Sequence, residues 1–305
     1  MADPLDTEPR LDADSAEWVR ALTGHDREAA IRRLHDRLAA AAHREARRRP
    51  TTIVGRELDD LADQAADDAV LAVLAKLPTF RGESRFTTWA HRFVMLELSH
   101  KLGRHHWRRA TPTDAHDWDR LPGATGLDPV HEAEAVALLA AVRSGIDESL
   151  TERQRDVFVA AVVDGVPLDA LAVRLDVTRG AVYKSLYDAR RALRAALVAQ
   201  GYLEPEVPRT ERPGIRGQLE RFLHTDPADV GCDEALRLLH VYVDQVRADR
   251  EAAETRFPGI VAHLAECGPC GDDFAGLLAA VAESAAADRL SARRRFLRRR
   301  PRPAR

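Results

Sequence analysis

An all-α fold is predicted by three features of this 305-residue chain. Ala, Leu and Arg dominate, while glycine and aromatic residues are sparse. Apolar residues recur at spacings of three and four, and strand-like alternation is nearly absent. The length suffices for two or three small domains with cores of their own. A formal net charge of −3 excludes a bulk polycation, so any nucleic-acid binding rests on local patches. Lys76, Lys101 and Lys184 are the only lysines, as in a GC-rich genome whose basic residues are nearly all Arg. No apolar run approaches membrane-spanning length and no signal peptide is legible at the start, so a cytoplasmic location is expected.

Residues 1–15 read as a disordered N-terminus. From Glu17 to Arg49, the residues Trp18, Leu22, Ile31, Leu34 and Leu38 predict two helices broken near Gly24. A further helix is expected over Glu57–Leu77. Leu58, Leu61, Ala62, Ala65, Ala69, Val73 and Leu77 would face inward, and Asp59, Asp60, Asp63 and Asp67 would crowd the outer face. Without i,i+4 lysines, that face reads by itself as a solvated surface. Pro78 stops the helix. The loop Thr79-Phe80-Arg81-Gly82-Glu83-Ser84-Arg85 then leads into another, with Thr87 as cap and Phe86 as hydrophobic staple. Trp89, Ala90, Phe93 and Val94 make its buried stripe. Its end carries Lys101, Arg104, His105, His106, Trp107, Arg108 and Arg109, a basic-aromatic mixture suited to phosphate contact and base stacking. Adjacent His105 and His106 point to different sides of a helix, which disfavours a metal there. Residues 111–132 are rich in Pro, Gly and Asp and read as a flexible linker.

The stretch Leu150–Leu197 is the most informative. Thr151 with Gln154 is a capping-box start, followed by an apolar face of Val157, Phe158, Ala161 and Val162. Asp164-Gly165 ends that helix. Leu168, Leu171, Ala172 and Leu175 define a short second helix, and Asp176-Val177 a tight turn. Thr178 caps a third helix, buried along Val182, Leu186, Leu193 and Leu197. Its opposite side carries Arg179, Tyr183, Lys184, Tyr187, Arg190 and Arg191. This is the helix-turn-helix pattern, whose last helix enters a major groove; a bundle with a solvated basic face is the alternative.

An acidic helix, the FRGESRFTTW loop, a basic-aromatic helix end, a linker and a helix-turn-helix, in that order over residues 16–197, resemble an extracytoplasmic-function (ECF) sigma factor of bacterial RNA polymerase. The resemblance implies two helical sigma domains, at 16–110 and 133–200, with the polymerase core and promoter DNA as partners. It implies that Asp59, Asp60, Asp63 and Asp67 line a polymerase-docking surface. Phe80 and Arg85 would belong to a loop holding a flipped minus-ten base, with Lys101, Arg104, Trp107, Arg108 and Arg109 on the DNA beside it. The helix carrying Arg179, Tyr183, Lys184, Tyr187 and Arg190 would read the minus-thirty-five element. Met95 and Leu96 stand where the family carries a basic residue and Asn, and Tyr183 and Asp188 where basic residues are common, so the family's promoter consensus does not transfer.

A second linker, 201–230, precedes every cysteine in the chain: Cys232, Cys267 and Cys270. With His263 they give C-x30-H-x3-C-x2-C. His263 and Cys267 lie one helical turn apart, and Gly268-Pro269 turns Cys270 toward the same point. Three thiolates and an imidazole are what a closed tetrahedral Zn2+ site needs; coincidental buried thiols are the alternative, and a disulfide is disfavoured in the cytoplasm. Cys232 opens a helix whose core face is Leu236, Leu239, Val243 and Val246. The segment 231–285 resembles a zinc-binding anti-sigma domain, here fused to its target, which implies an intramolecular contact regulating the sigma-like part. Residues 286–305 form a basic tail, read as a solvated extension.

No nucleophile–base pair or phosphate loop is legible, so no enzymatic activity and no catalytic residue is expected. A helix-turn-helix regulator with a zinc sensor domain that does not dock on polymerase is the competing reading.

Overall fold

A computed structural model describes residues 11–109, 129–205 and 214–298; the side chains described exclude 106–109, 129–134, 214–215 and 290–298. The fold is all-α, with no strand among the described residues. The linker 111–132 and the last seven residues of the basic tail therefore lie largely or wholly outside them.

The helices are α1 (Ala13–Thr23), α2 (Arg27–Arg48), α3 (Arg56–Lys76), α4 (Phe86–Arg109), α5 (Pro129–Ser149), α6 (Glu152–Phe158), α7 (Leu168–Arg174) and α8 (Arg179–Ala199). They continue as α9 (Gly214–Leu223), α10 (Gly231–Ala248), α11 (Arg250–Arg256), α12 (Pro258–Glu266) and α13 (Gly268–Arg298). The chain divides into two compact units. One comprises the described residues of Met1–Leu102, Ala235–Pro258 and Gly268–Arg305, and the other those of Gly103–Glu234 and Gly259–Cys267. The segment 231–285, set apart by its sequence, is thus distributed over both units.

In the first unit, α1 begins within the stretch read as disordered because Asp12 caps it, accepting from Asp14 N–H at 3.1 Å and Ser15 N–H at 3.0 Å. Gly24 follows α1, so the break is where the sequence puts it. Trp18, Leu22, Leu34 and Leu38 are buried as expected, together with Ala62, Ala65, Ala69 and Val73 of α3. Trp18 stacks on Phe86 with ring centroids 5.5 Å apart, and Phe86 also meets Phe80 and Trp89. Phe86 is itself the first residue of α4. The helix thus starts one residue before the expected cap Thr87, and Phe86 N–H donates to Ser15 Oγ at 2.9 Å.

The C-terminal helices complete this unit. Leu239, Val243 and Val246 of α10 are buried as its stripe predicts, but so are His240, Val241 and Tyr242. A helix covered on that much of its circumference buries more than the single face its stripe predicts. On α13, a Cβ at Gly276 would meet the Glu45 carboxylate at 2.5 Å, so the glycine leaves room for that side chain between α2 and α13. Beside it Asp273 accepts from Arg49 and, at 2.6 Å, from Ser99 Oγ, while Arg48 donates to the Asp272 carbonyl at 2.8 Å. The backbone of the presumed tail stays helical to Arg298, and Arg37 pairs with Asp288.

In the second unit, α6 carries the capping box of Thr151 and Gln154 in full. A π-helical segment, Val159–Val163, follows it, with Asp164 N–H reaching the Val159 carbonyl five residues back at 3.1 Å. The wider turn rotates the face, so Val159 and Ala160 are buried while Val162, expected inside, is exposed. Thr178 caps α8 through Ala181 N–H at 3.1 Å. The inter-helix turn uses Asp176 at φ 51°, a left-handed position that Asp tolerates. Val182, Leu186, Leu193 and Leu197 are buried against α5, α6 and α7.

Candidate metal centre and nucleic-acid interface

Cys232 lies in the first turn of α10, His263 on α12, Cys267 immediately after it and Cys270 in the first turn of α13. Cys267 N–H donates to the His263 carbonyl at 2.8 Å, so the helical step between the two survives past the end of α12. All four side chains are buried, and their ligand atoms lie within 4.8 Å of one another. The Sγ atoms of Cys232 and Cys267 are 3.8 Å apart. A tetrahedral Zn–S bond of about 2.3 Å sets an S···S edge of about 3.8 Å, whereas a disulfide needs about 2.05 Å. The donor set and spacing therefore fit a closed tetrahedral ion, with a small contraction of the widest pairs. When bound, such an ion supplies a structural crosslink and no open coordination position.

His263 Nδ1 donates to Asp229 Oδ1 at 2.8 Å, leaving coordination to Nε2. Asp229 is a functional candidate that sequence reasoning missed. It also accepts from Gly231 N–H at 2.7 Å and from the Tyr183 hydroxyl. Burial opposes its ionisation, but the bonds from His263, Tyr183 and Gly231 outweigh this and hold its carboxyl below the usual range. Burial and the same carboxylate push the Tyr183 phenol far above its ordinary value. The one signal in the sequence was three aspartates, Asp226, Asp229 and Asp233, clustered around Cys232.

The outer face of α8 is consequently covered at Tyr183, Tyr187 and Arg190, whereas Lys184 and Arg191 are exposed. Tyr183 is 3% exposed, and its ring meets His263 edge-on at 4.7 Å. Tyr187 donates from its hydroxyl to the Asp226 carbonyl at 3.1 Å. Arg190, 7% exposed, pairs with Glu266 at 3.0 Å and lies over the Phe222 ring. Arg179 Nε donates to Asp169 at 2.8 Å, within the helix-turn-helix itself. Lys184 keeps a 75% exposed side chain, paired with Asp188 at 2.9 Å.

In the first unit Phe80 is half-buried against Phe86 and Trp89, and the Arg85 side chain is exposed. The Arg85 N–H donates to Asp244 at 2.7 Å, and Thr88 Oγ1 donates to the same carboxylate at 2.8 Å. Arg92 Nη1 donates to the Arg237 carbonyl at 2.9 Å and to His240 Nδ1 at 3.1 Å. Lys101 pairs with Asp68, and Met95, at a position where the resembled family carries a basic residue, is buried in the core. Among the acidic residues of α3, Asp59 pairs with Arg47 at 3.2 Å, Asp63 with His43 at 2.8 Å and Asp67 with His35 at 3.0 Å, while Asp60 is exposed. Partners for these carboxylates are thus supplied across the α2–α3 contact, Arg47 as a cation and His43 and His35 as hydrogen-bonding rings. In the second unit Arg104 is exposed; the side chains of Trp107, Arg108 and Arg109 lie outside the described residues.

No helix among the described residues is long and apolar enough to cross a membrane. Comparison with curated proteins and with solved structures returned no match. Residues 148–193, which span α6, α7 and most of α8, match the family model described as Sigma-70, region 4, a non-enzymatic transcription-factor domain, and this supports a sigma-factor role in transcription initiation.

Proposed function

We propose that the chain is an ECF-type sigma factor that directs bacterial RNA polymerase to specific promoters and is held closed in cis by its own zinc-binding segment. The helix-turn-helix of the second unit would read promoter DNA, and the acidic face of α3 would dock on polymerase. The observation that carries the regulatory part is the occupation of α8 by 226–266. Asp229 holds Tyr183 and Glu266 holds Arg190, the residues a groove-facing helix would use. In the first unit Asp244 engages the start of α4, beside the loop proposed for the minus-ten element. These are carboxylates facing groups that would otherwise meet phosphate, so closing the protein and binding DNA compete for the same donors. Covalent connection gives the segment a high effective concentration, and contacts of modest strength suffice.

Run-off transcription with core polymerase and a genomic promoter library tests this. The full chain is expected to be weakly active, and a truncation ending near Leu203, or the full chain carrying Glu266→Ala with Asp244→Ala, more active. Absence of promoter-directed transcripts from all three would remove the sigma reading and favour a regulator that does not dock on polymerase. Equal activity of all three would remove inhibition alone.

A further inference from the structure

We infer that Asp229 is a positioning residue that sets metal occupancy against access to the reading face of α8, so that each disfavours the other. The inference rests on the sigma reading only for the identity of that face; the linkage itself stands on the geometry of the second unit. The Asp229 side chain is 2% exposed, so its two oxygens are committed within the protein. Oδ1 takes the His263 Nδ1–H and the Gly231 N–H, and Oδ2 takes the Tyr183 hydroxyl. The turn that carries it is built locally, with Ala228 N–H on Asp226 Oδ1 at 2.8 Å and Asp229 N–H on the Asp226 carbonyl at 3.1 Å. That turn ends one residue before Cys232, so a metal ligand and the carboxylate are mounted on the same few residues.

The consequence is a chain of constraints. His263 would hold a metal through Nε2, which would fix the imidazole plane that aims Nδ1–H at Asp229. Cys232 and Cys267, whose Sγ atoms lie 3.8 Å apart, would hold the same ion, which would fix the turn from its other end. Asp229, held on both sides, then holds the Tyr183 hydroxyl inside, and the His263 ring covers the Tyr183 ring. The Asp233 carboxylate lies against Gly180, where a Cβ would meet it at 2.6 Å, so the first turn of α8 is covered by the same segment. Without the ion the thiols lose the charge that gathers them and the turn loses its anchor. Conversely, a ligand that draws Tyr183 outward removes one of the bonds orienting the carboxylate behind His263. By linkage each event weakens the other by the same factor. Removal of an outer-sphere carboxylate typically lowers metal affinity about 10- to 100-fold, which sets the size expected.

The test uses the full chain with Zn2+ itself as the probe. The four tyrosines are replaced by 3-fluorotyrosine and the Tyr183 fluorine resonance is assigned with Tyr183→Phe. Stripping zinc with a chelator is expected to move the Tyr183 resonance to the position and width of a solvent-exposed tyrosine, while that of Tyr242, in the first unit, stays. Cys267→Ser is expected to show the released Tyr183 signal at any zinc concentration. Asp229→Asn is expected to bind zinc about 10- to 100-fold more weakly and to leave Tyr183 released even when loaded. A Tyr183 resonance that is the same in zinc-loaded and stripped wild type, or that stays closed in Cys267→Ser, overturns the linkage. If Asp229→Asn does not fold, the wild-type and Cys267→Ser spectra decide alone. None of these readouts depends on transcription, so failure of the sigma reading and failure of the linkage are separable.

Discussion

Asp244 accepts from the backbone N–H of Arg85 at 2.7 Å, so the entry into α4 is capped by a residue 159 positions away in sequence. No side chain of the 80–88 loop supplies this acceptor; Thr88 Oγ1 adds a second bond to the same carboxylate. The first turn of a helix carries unpaired N–H groups and a positive end, and an aspartate there is favoured on both counts. Deleting this cap by Asp244→Ala is expected to cost about 0.5–2 kcal/mol of stability, with Asp244→Asn recovering part of it. Urea unfolding together with amide exchange of residues 85–89 measures both; unchanged exchange at Arg85 would refute the cap.

Acid is expected to loosen the first unit. Burial first of all holds the His91 pKa down to about 4, with Arg37 and Arg44 adding to it and the Thr87 carbonyl and Asp288 opposing. Burial, then Arg92 and Arg237, hold that of His240 at about 3. Both native values lie below the unfolded value of about 6.5. The unfolded chain therefore takes up protons that the native state refuses, and stability falls as pH drops below about 6.5. At pH 5 the loss is about 2 kcal/mol per histidine. Urea unfolding at pH 7.5 and 5.0 measures it, and His240→Gln should remove about half of the pH dependence. A stability that is flat over this interval contradicts the burial of both imidazoles as neutral bases.

Asp273 neutralises Arg49, which lies buried beside Glu45, Arg48 and Ser99. Removing Asp273 leaves Arg49 only Glu45, which it shares with Arg48, and so one positive charge uncompensated in a dry site. Asp273→Ala is therefore expected to destabilise by about 3–5 kcal/mol, and Arg49→Met with Asp273→Leu by less than the single change. Thermal melts of the three variants give the comparison.

Polymerase docking through α3 predicts that Asp60→Arg with Asp63→Arg abolishes association with core polymerase at unchanged helical content. Asp60 is exposed and Asp63 bridges to His43 near the surface, so the fold should tolerate both. Pull-down by the double variant at the wild-type level would remove α3 as the docking surface.

For promoter reading, Lys184 is the α8 residue favoured to touch a base, since its side chain is 75% exposed and pairs only within its own helix, with Asp188. In the truncation ending near Leu203, Lys184→Ala is expected to cost about 1–3 kcal/mol of binding and to change sequence preference, whereas Arg190→Ala should weaken all sequences alike. The pair Lys184–Asp188 is a solvent-exposed i,i+4 contact worth little, so its loss does not confound the measurement. Unchanged affinity and preference with Lys184→Ala would exclude this helix as the reader.

The all-α class, the Gly24 break, the Thr151–Gln154 capping box, the Thr178 cap and the buried stripe of α8 were legible in the sequence. Each is set by residues within a turn or two of one another, where periodicity and capping chemistry act. The gathering of His263, Cys267 and Cys270 into one buried cluster was legible for the same reason, because they are spaced by helical geometry. The tertiary structure alone decided what covers the polar groups. Asp229 reaches Tyr183 across 46 residues, Glu266 reaches Arg190 across 76 and Asp273 reaches Arg49 across 224. A carboxylate has no periodic signature that names its distant partner, and an Arg/Tyr face looks the same in sequence whether water, DNA or its own chain lies against it. The same holds for α10: its apolar stripe predicts one buried face, and only the packing of the first unit shows that His240, Val241 and Tyr242 are enclosed as well.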